Sequence, residues 1–351
     1  GAASSSVPSK LPAYMFSKKA IISCVDEHSA TASVIKSSNC GWVLPPENSN
    51  ALAEKLIEIV LKSAEKRPQE KIDIGLLGYA SDEGVRRNQG RIGAAQGPDA
   101  IRGRLAKMPF HLGHKKVADF GNFFCLGQDM ESCQNSFSNH ISRLIQQQIF
   151  PIGFGGGHDM AYAHFMGIRD AIKDRTNKRI GIVNFDAHFD LRPVEEQPNS
   201  GTPFNQIIHE LKQTNEAVGY YAIGIQDQSN TKELYEIAKR EGVNYTSNYD
   251  CVPNDSNLSA LQQKMLPFIG ASDYLYVTID LDGFSSAYAP GVSAPSPMGF
   301  SPFFVVEMLR FLFETNKVIS CDIAELNPLF DRDGTTALLA ARLVDFMAAI
   351  K

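Results

Sequence analysis

The stretch Val183-Asn184-Phe185-Asp186-Ala187-His188-Phe189-Asp190 decides how this chain of 351 residues folds. A hydrophobic run at residues 180–185 leads directly into Asp186, His188 and Asp190. Residues two apart point to nearly opposite sides of a helix but share one face of an extended strand. The pattern therefore predicts a buried strand whose tip carries one imidazole and two carboxylates. On its own, such a tip could also be an ordinary polar strand exit with a capping aspartate.

Short apolar segments alternate with amphipathic segments through most of the chain. Strands are predicted at Ile72–Tyr79, Val117–Phe120, Phe150–Phe154, Ile180–Phe185, Tyr220–Ile225, Tyr274–Ile279 and Val318–Ile323. Helices are predicted at Pro98–Lys107, Ser132–Gln148, Met160–Lys173, Gln206–Gln213, Lys232–Arg240, Leu258–Ile269, Pro302–Glu314 and Thr335–Ile350. This alternation indicates an α/β fold in which helices cover both faces of a mostly parallel sheet. Such sheets bind ligands at the carboxyl ends of their strands.

Composition and charge are those of an ordinary soluble globular protein, with 43% hydrophobic and 21% charged residues. A net charge of -5 gives no electrostatic footprint for nucleic acid or an anionic membrane. No apolar run approaches the roughly 20 residues that span a bilayer. The six cysteines include no CxxC pair and are too few for a disulfide scaffold, so we interpret them as mostly reduced thiols, some of them buried.

The domain boundaries are predicted from the same pattern. Residues 1–70 are expected to form an N-terminal leader and a covering helix that belong to the same domain as residues 71–351. The helix is predicted at residues 51–66, where apolar residues recur at helical spacing and Asn50 can cap the first turn. No linker or repeat divides the remainder of the chain.

Two further strand ends carry the same residue types as the first. His158 follows a triple glycine after the strand Phe150–Phe154, and Asp280 and Asp282 follow the strand Tyr274–Ile279. Each of these ends could separately be a tight turn or a capping loop. Together the three ends place two histidines and four aspartates at one edge of the sheet. Clustered carboxylates raise one another's pKa unless a cation lies among them, so we predict a bound metal.

The ligand types indicate which metal. Oxygen-rich ligation with imidazole and without thiolate favours Mn²⁺ over structural Zn²⁺. Six ligands are too many for one tetrahedral ion, but with bridging carboxylates they suit two ions about 3.5–4 Å apart. Four carboxylates balance two dications and leave room for a bridging hydroxide, whose pKa the metals lower. We therefore predict two Mn²⁺ per subunit and a metal-bridging hydroxide as the nucleophile.

Three segments resemble the metal-binding motifs of the ureohydrolase family, which includes arginases, agmatinases and formiminoglutamases. They are GGGHD at 155–159, FDAHFD at 185–190 and IDLDGFSSAYAPG at 279–291. The resemblance, which extends from about Ile72 to the C-terminus, implies a three-layer α/β/α arginase-like fold with an eight-stranded sheet. It also implies hydrolysis of amidine or guanidine C–N bonds. By position, one ion would take His158, Asp186, Asp190 and Asp280, and the other Asp186, His188, Asp280 and Asp282.

Two residues outside the metal motifs bear on the substrate. Glu325 matches the family glutamate that pairs with the cationic head of the substrate, although it could also be a solvated acid at a strand end. Arg192 stands where arginases usually have Asn, and an arginine binds a carboxylate but repels a cationic tail. Phe204 stands where arginases have a histidine that shuttles protons, which a phenylalanine cannot do.

Three segments resemble formiminoglutamases in particular: DEGVRRNQGRIGAAQGPDAIR at 82–102, DLR at 190–192 and SGTPF at 200–204. These enzymes split N-formimino-L-glutamate into glutamate and formamide in histidine degradation. Residues 82–98, which precede and include the first residue of the helix predicted at Pro98–Lys107, are expected to be a long, basic, glycine-rich loop with a functional role; the alternative is a surface loop with solvated arginines. Ser285 and Ser286 replace the Asp-Pro that follows the last metal motif in most ureohydrolases.

The resemblance thus implies a formimidoylglutamase in which Asp190 orients the hydroxide, Glu325 holds the amidinium and Arg192 binds the glutamate carboxylate. Further substrate contacts are expected from Thr202, Arg86, Arg87 and Arg91. The alternatives are another ureohydrolase, such as a guanidinobutyrase or an arginase, and a catalytically silent relative that acts as a binding or assembly subunit. We expect a cytoplasmic homo-oligomer with a small-molecule substrate and no nucleic-acid or membrane partner.

Overall fold

The chain divides into two compact units, Gly1–Lys71 and Ile72–Lys351. The computed structural model describes residues 21–38, 40–49, 51–56, 71–175 and 178–351. In the smaller unit, strands β1 (Ile21–Cys24) and β2 (Gly41–Leu44) pair in parallel, and helix α1 (Ala30–Ser37) lies between them in the chain. These three elements were not predicted, because the strands have only four residues and the helix only eight.

The covering helix predicted at residues 51–66 falls partly on described residues. Residues 51–56 are helical, whereas residues 57–66 and Asn50 lie outside the described residues. The side chain of Asn48 caps this helix, because its Oδ1 accepts a hydrogen bond from the backbone N–H of Ala51 at 3.0 Å. The assignment of residues 1–70 to the same domain as the rest stays a prediction.

The larger unit contains a central sheet of eight parallel strands. They are β3 (Ile74–Ala80), β4 (Val117–Phe124), β5 (Phe150–Gly155), β6 (Ile180–Phe185), β7 (Val218–Ile225), β8 (Asn244–Ser247), β9 (Tyr274–Asp280) and β10 (Val318–Ala324). Their spatial order is β4-β3-β5-β10-β9-β6-β7-β8, and every pairing is parallel. The predicted eight-stranded arginase-like α/β fold is confirmed.

Helices connect these strands and cover both faces of the sheet. They are α2 (Glu83–Arg87), α3 (Gly97–Leu105), α4 (Met130–Gln146), α5 (Met160–Ile172), α6 (Pro203–Gln213), α7 (Lys232–Arg240), α8 (Asp255–Gly270), α9 (Pro302–Glu314) and α10 (Thr335–Ile350). The bounds of α7, α9 and α10 are those predicted. Among the described residues, no helix has the length and apolarity needed to span a bilayer.

Two differences from the predicted elements have a local cause. The segment expected to be one long loop contains α2 and a short 3₁₀ turn at Ala94–Gln96. Helix α2 forms because Glu83 in its first turn pairs with the arginines three and four residues later. Strand β8 was missed because its four residues, NYTS, are largely polar and lie at the edge of the sheet.

The sheet separates two apolar clusters, one against each face. Within β9, Val277 and Ile279 belong to one cluster, whereas Tyr276 belongs to the other. This alternation follows from the two-residue period of a strand. All six cysteines are free, and Cys133, Cys251 and Cys321 are buried, as predicted.

The strand order determines where the polar strand ends meet. The last two strands, β9 and β10, insert between β5 and β6, so these four lie side by side at the centre of the sheet. Because all four are parallel, their carboxyl ends lie at one edge. The segments that begin near residues 155, 186, 280 and 325 are therefore brought together by topology.

The buried centre of the sheet should dominate the stability of the larger unit. Leu275 lies in β9 and is 0% exposed, so Leu275→Ala should lower the free energy of unfolding by about 2–5 kcal/mol. Leu266→Ala, at a position in α8 that is 46% exposed, is the matched control and should change it by less than about 0.5 kcal/mol. Urea unfolding followed by circular dichroism measures both. Equal effects would contradict the assignment of β9 to the core.

Candidate metal centre

The six predicted ligands converge at the carboxyl ends of three neighbouring strands. His158 follows β5, Asp186, His188 and Asp190 follow β6, and Asp280 and Asp282 lie at the end of β9. All are buried except His188, whose side chain is 23% exposed. Among the described residues, they form two groups in which all candidate ligand atoms lie within 4.8 Å of one another.

The first group surrounds one imidazole nitrogen. Nδ1 of His158 lies 2.9 Å from Oδ2 of Asp190, 3.2 Å from Oδ2 of Asp186 and 3.1 Å from Oδ2 of Asp280. Three carboxylate oxygens and one nitrogen thus point to a common position. This is the arrangement expected of the ligands of a single ion.

The second group shares one residue with the first. Nδ1 of His188 lies 3.2 Å from Oδ2 of Asp282 and 3.4 Å from Oδ1 of Asp186. Asp186 therefore presents Oδ2 to the first group and Oδ1 to the second, as a bridging carboxylate would. Asp280 belongs to the first group only, so its expected second role stays a prediction.

Electrostatics show that these carboxyls suit a cation. Burial, followed by the charges of Asp282 and Asp186, holds the pKa of Asp280 well above its ordinary value. Burial likewise raises the pKa of Asp282 and of Asp190. Oδ1 of Asp282 is buried without a hydrogen-bond partner among the described residues. The cluster therefore carries an excess of buried negative charge, which a divalent metal with oxygen and imidazole ligands would relieve.

Two residues that are not candidate ligands, Asn184 and Thr278, orient the ligands through hydrogen bonds. The side-chain amide of Asn184 donates to Oδ2 of Asp186 at 3.0 Å, and Nε2 of His158 lies 3.0 Å from Oγ1 of Thr278. Such partners fix the orientation and tautomer of metal ligands. Neither residue was predicted from the sequence. The signal that could have revealed them is that each is a polar residue in an apolar strand, two positions before a ligand aspartate and thus on the same face.

Phe204 forms part of the wall behind His158. Its ring lies 5.5 Å from the imidazole at an interplanar angle of 81°, and it stacks on Tyr220 at 4.4 Å. Phe204 is fully buried, so this position supports the imidazole and does not face the solvent.

Glu325 is placed at the base of the site by an unusual backbone conformation. Its φ is +69°, its Oε1 accepts a hydrogen bond from the backbone N–H of His158 at 2.9 Å, and its own N–H donates to Gly156. It is only 5% exposed, which contradicts the alternative of a solvated acid. Burial, followed by the charge of Asp282, raises the pKa of Glu325 to about 8. Left-handed conformations of residues other than glycine cluster at functional sites.

A cavity of about 290 Å³ opens onto these groups. Five of the candidate ligands line it, together with Glu325 and two arginines: His158, His188, Asp190, Asp280, Asp282, Glu325, Arg91 and Arg192. Both arginines are exposed and so lie at the mouth. The cavity therefore has an acidic floor and a basic rim.

The structure does not bring Arg86, Arg87 or Thr202 to this cavity. Arg86 and Arg87 pair with Glu83, Arg87 also pairs with Glu131, and both arginines line a neighbouring cavity of about 760 Å³. Thr202 is fully buried, and its hydroxyl bonds within its own loop and to the helix that follows. We therefore assign no substrate contact to these three residues.

The sequence of this chain is similar to those of known proteins. Residues 72–349 match the model of the Arginase family. The formimidoylglutamase of Geobacillus thermodenitrificans (strain NG80-2) is 42% identical over 266 residues, which cover 76% of this chain and 80% of that protein. The formimidoylglutamase of Legionella pneumophila (strain Lens) is 41% identical over 271 residues, which cover 76% and 82%.

Solved structures show the same fold. Trypanosoma cruzi formiminoglutamase with Mn²⁺ has a TM-score of 0.70 at 23% identity and covers 80% of this chain and 95% of its own. The formimidoylglutamase of Bacillus subtilis has a TM-score of 0.70 at 21% identity, with coverages of 81% and 88%. These solved structures therefore share the fold of this chain, and its own two groups of histidine and aspartate side chains could hold metal ions.

The shared carboxylate gives a test of the two groups. Asp186→Asn should weaken Mn²⁺ binding in both groups, whereas Asp282→Asn should weaken it only in the second. Each loss of affinity should be at least the roughly 10–100-fold that removal of an outer ligand partner causes. The measurement is the Mn²⁺ content per chain after loading and gel filtration. Asp170→Asn, at an exposed position in α5, is the control and should retain the wild-type content. Equal losses in the two ligand variants would contradict the shared role of Asp186.

Proposed function

The chain belongs to the arginase family, and we propose that it is a formimidoylglutamase that hydrolyses N-formimino-L-glutamate to L-glutamate and formamide with two Mn²⁺. The observation that carries the proposal is that one cavity is lined both by a buried acidic side chain, Glu325, and by two exposed arginines, Arg91 and Arg192. This distribution complements a molecule with a cationic formimino group at one end and carboxylates at the other. Relatives that share about 40% identity bear the same name.

The candidate ligands divide between the two ions as the geometry groups them. We assign His158, Asp186, Asp190 and Asp280 to one Mn²⁺, and Asp186, His188 and Asp282 to the other. When bound, the ions would supply an activated water as the nucleophile and neutralise the buried carboxylates. Asp190 is assigned a second role, which is to accept a hydrogen bond from this water and orient it.

Glu325 is assigned to the cationic head of the substrate. Its Oε1 is held by the backbone N–H of His158, which leaves Oε2 to accept from the formimino nitrogen. A buried carboxylate pairs strongly with an amidinium because the surroundings screen little of the attraction. Glu325 therefore fixes the formimino carbon next to the metal ligands.

The two rim arginines are assigned to the carboxylates of the substrate. Nη1 of Arg192 donates to the neutral amide of Asn88, and the guanidinium of Arg91 donates to the carbonyls of Val292 and Ser293. Neither arginine therefore has an acidic partner among the described residues. Their positive charges remain available, and a guanidinium fork binds a carboxylate well.

The reaction follows from these positions. Water adds through its oxygen to the formimino carbon, and the bond from that carbon to the glutamate nitrogen breaks. One proton of the water is taken up by the formimino nitrogen and the other by the glutamate nitrogen, which leaves as the amine of L-glutamate. The carbon is released as formamide. Glu325 and Arg192 hold the two ends of the substrate, so the carbon and the attacking oxygen are kept in a reactive orientation.

Product analysis tests the proposed function. The Mn²⁺-loaded protein should release L-glutamate and formamide in equal amounts from N-formimino-L-glutamate, and a chelated sample should release neither. 4-Guanidinobutyrate and arginine, assayed for urea, are the comparison substrates. Arginine should be a poor substrate because its amino-acid end offers only one carboxylate and also carries an ammonium group, which Arg91 and Arg192 repel. Release of urea without formamide would overturn the assignment in favour of another ureohydrolase activity.

Removal of the rim arginine tests its role as a clamp. Arg192→Ala should raise KM for N-formimino-L-glutamate by about 10–100-fold and lower kcat less, because a charge-assisted contact in the bound substrate is lost. Arg240→Ala removes an arginine that is 66% exposed and pairs with the neighbouring Glu241, so it should leave KM unchanged. An unchanged KM in Arg192→Ala would rule out the clamp.

A further inference from the structure

Asn88 connects the glycine-rich segment to the basic rim. It follows α2, and its Oδ1 accepts a hydrogen bond from Nη1 of Arg192 at 2.6 Å. Its Nδ2 donates to Oγ of Ser200 at 3.1 Å. One partly buried amide thus contacts two separate segments of the cavity wall, and it lines the cavity itself.

The surroundings of Asn88 hold this contact in place. The N–H of Ser200 donates to the carbonyl of Gly84 at 3.1 Å, and the N–H of Arg192 donates to the carbonyl of Gly201 at 3.0 Å. A Cβ atom added to Gly84 would lie 2.1 Å from Oδ1 of the buried Asp159, so the backbone of α2 is closely packed there. The amide therefore belongs to a set of hydrogen bonds that fixes three segments relative to one another.

The contact leaves the other edge of the guanidinium open. Asn88 accepts a hydrogen bond from Nη1 of Arg192, whereas no described residue accepts one from Nε or Nη2 of Arg192. Nε and Nη2 form one of the two edges with which a guanidinium binds a carboxylate through two parallel hydrogen bonds. Restricting a long side chain before the substrate binds also reduces the entropy that binding would cost.

The partner is neutral, and this distinguishes Arg192 from Arg87. Arg87, which lines the neighbouring cavity, donates to the carboxylates of Glu83 and Glu131, so its charge is compensated within the protein. The same would happen to Arg192 if residue 88 were an aspartate. An asparagine supplies the accepting oxygen without the negative charge.

We infer that Asn88 is a positioning and specificity-determining residue, which orients Arg192 toward the substrate carboxylate while leaving its charge uncompensated. The inference rests on the proposed function, because it concerns the anionic tail of that substrate. An arginine at position 192 is therefore not sufficient to bind the substrate carboxylate. The residue that accepts a hydrogen bond from Arg192 must also be neutral.

Two substitutions separate this role from simple support of the loop. Asn88→Ala should raise KM for N-formimino-L-glutamate about 3–10-fold, because the guanidinium loses its orienting hydrogen bond. Asn88→Asp keeps the shape and the accepting oxygen but compensates Arg192, so it should raise KM about 10–100-fold. In both variants kcat should change less than KM. A residue that only supported the loop would be rescued by the isosteric aspartate, and a wild-type KM in Asn88→Asp would overturn the inference.

A double-mutant cycle tests whether the effect passes through Arg192. In an Arg192→Ala background, Asn88→Asp should raise KM no further, because the charge that it compensates is absent. An additional increase as large as that in the wild-type background would overturn the inference. Thermal unfolding shows which variants are folded. If Asn88→Ala does not fold, the KM of Asn88→Asp alone decides the inference.

A matched control exists at the far edge of the sheet. Asn122 accepts a hydrogen bond from Arg102 and donates to Asp99 at 2.7 Å, which repeats the asparagine–arginine contact away from the cavity. Asn122→Ala should leave KM and kcat unchanged, and a shift equal to that of Asn88→Ala would overturn the inference. Failure of the proposed function is recognised separately: the wild-type protein would then release no formamide, whereas failure of the inference alone leaves wild-type activity intact.

Discussion

The structure depends on one constraint: four carboxylates lie buried within a few ångströms of one another with only two imidazoles beside them. Isolated charges of this kind are costly to bury, and here their proximity adds repulsion to desolvation. Asp186 is the centre of the arrangement because each of its oxygens faces a different histidine. Its two oxygens also receive hydrogen bonds, from the backbone of His188 and from the side chain of Asn184. Cations bound among these carboxylates would relieve the repulsion.

The topology of the sheet makes this constraint possible. Strands β9 and β10 come last in the chain and lie between β5 and β6, so ligands far apart in sequence share one edge. Two residues at that edge, Asp190 and Glu325, have positive φ values of 48° and 69°. Side chains other than glycine rarely adopt such angles, and here they turn a carboxylate back toward the end of the sheet. The surrounding hydrogen bonds, including the one between Glu325 and the backbone of His158, hold this conformation.

The sequence was sufficient for the features that depend on local pattern. The bounds of β6 and α7 were predicted from apolar periodicity. Five of the six candidate ligands were found because alternate residues on a strand share a face, and His158 was found because it follows a triple glycine at a strand end. The features that were not predicted from the sequence depend on tertiary contacts. Thr278 and Asn184 are ordinary polar residues in the sequence, and only the packing of β9 and β6 shows that they orient ligands. The short strand β8 has no apolar pattern because it lies at the edge of the sheet, where pairing on one side suffices.

The arginines of the glycine-rich segment show why residue type alone does not define a binding site. The glycine-rich segment supplies three arginines near the cavity, Arg86, Arg87 and Arg91, and the segment after β6 supplies a fourth, Arg192. Acidic partners hold Arg86 and Arg87 and compensate their charge, and neither arginine lines the cavity that contains the candidate ligands. Amide and carbonyl oxygens accept hydrogen bonds from Arg91 and Arg192 but leave the charge in place. An anion placed in the cavity therefore meets two available cations, not four. The chemistry of the partner, which only the folded structure reveals, determines which arginines can select a carboxylate.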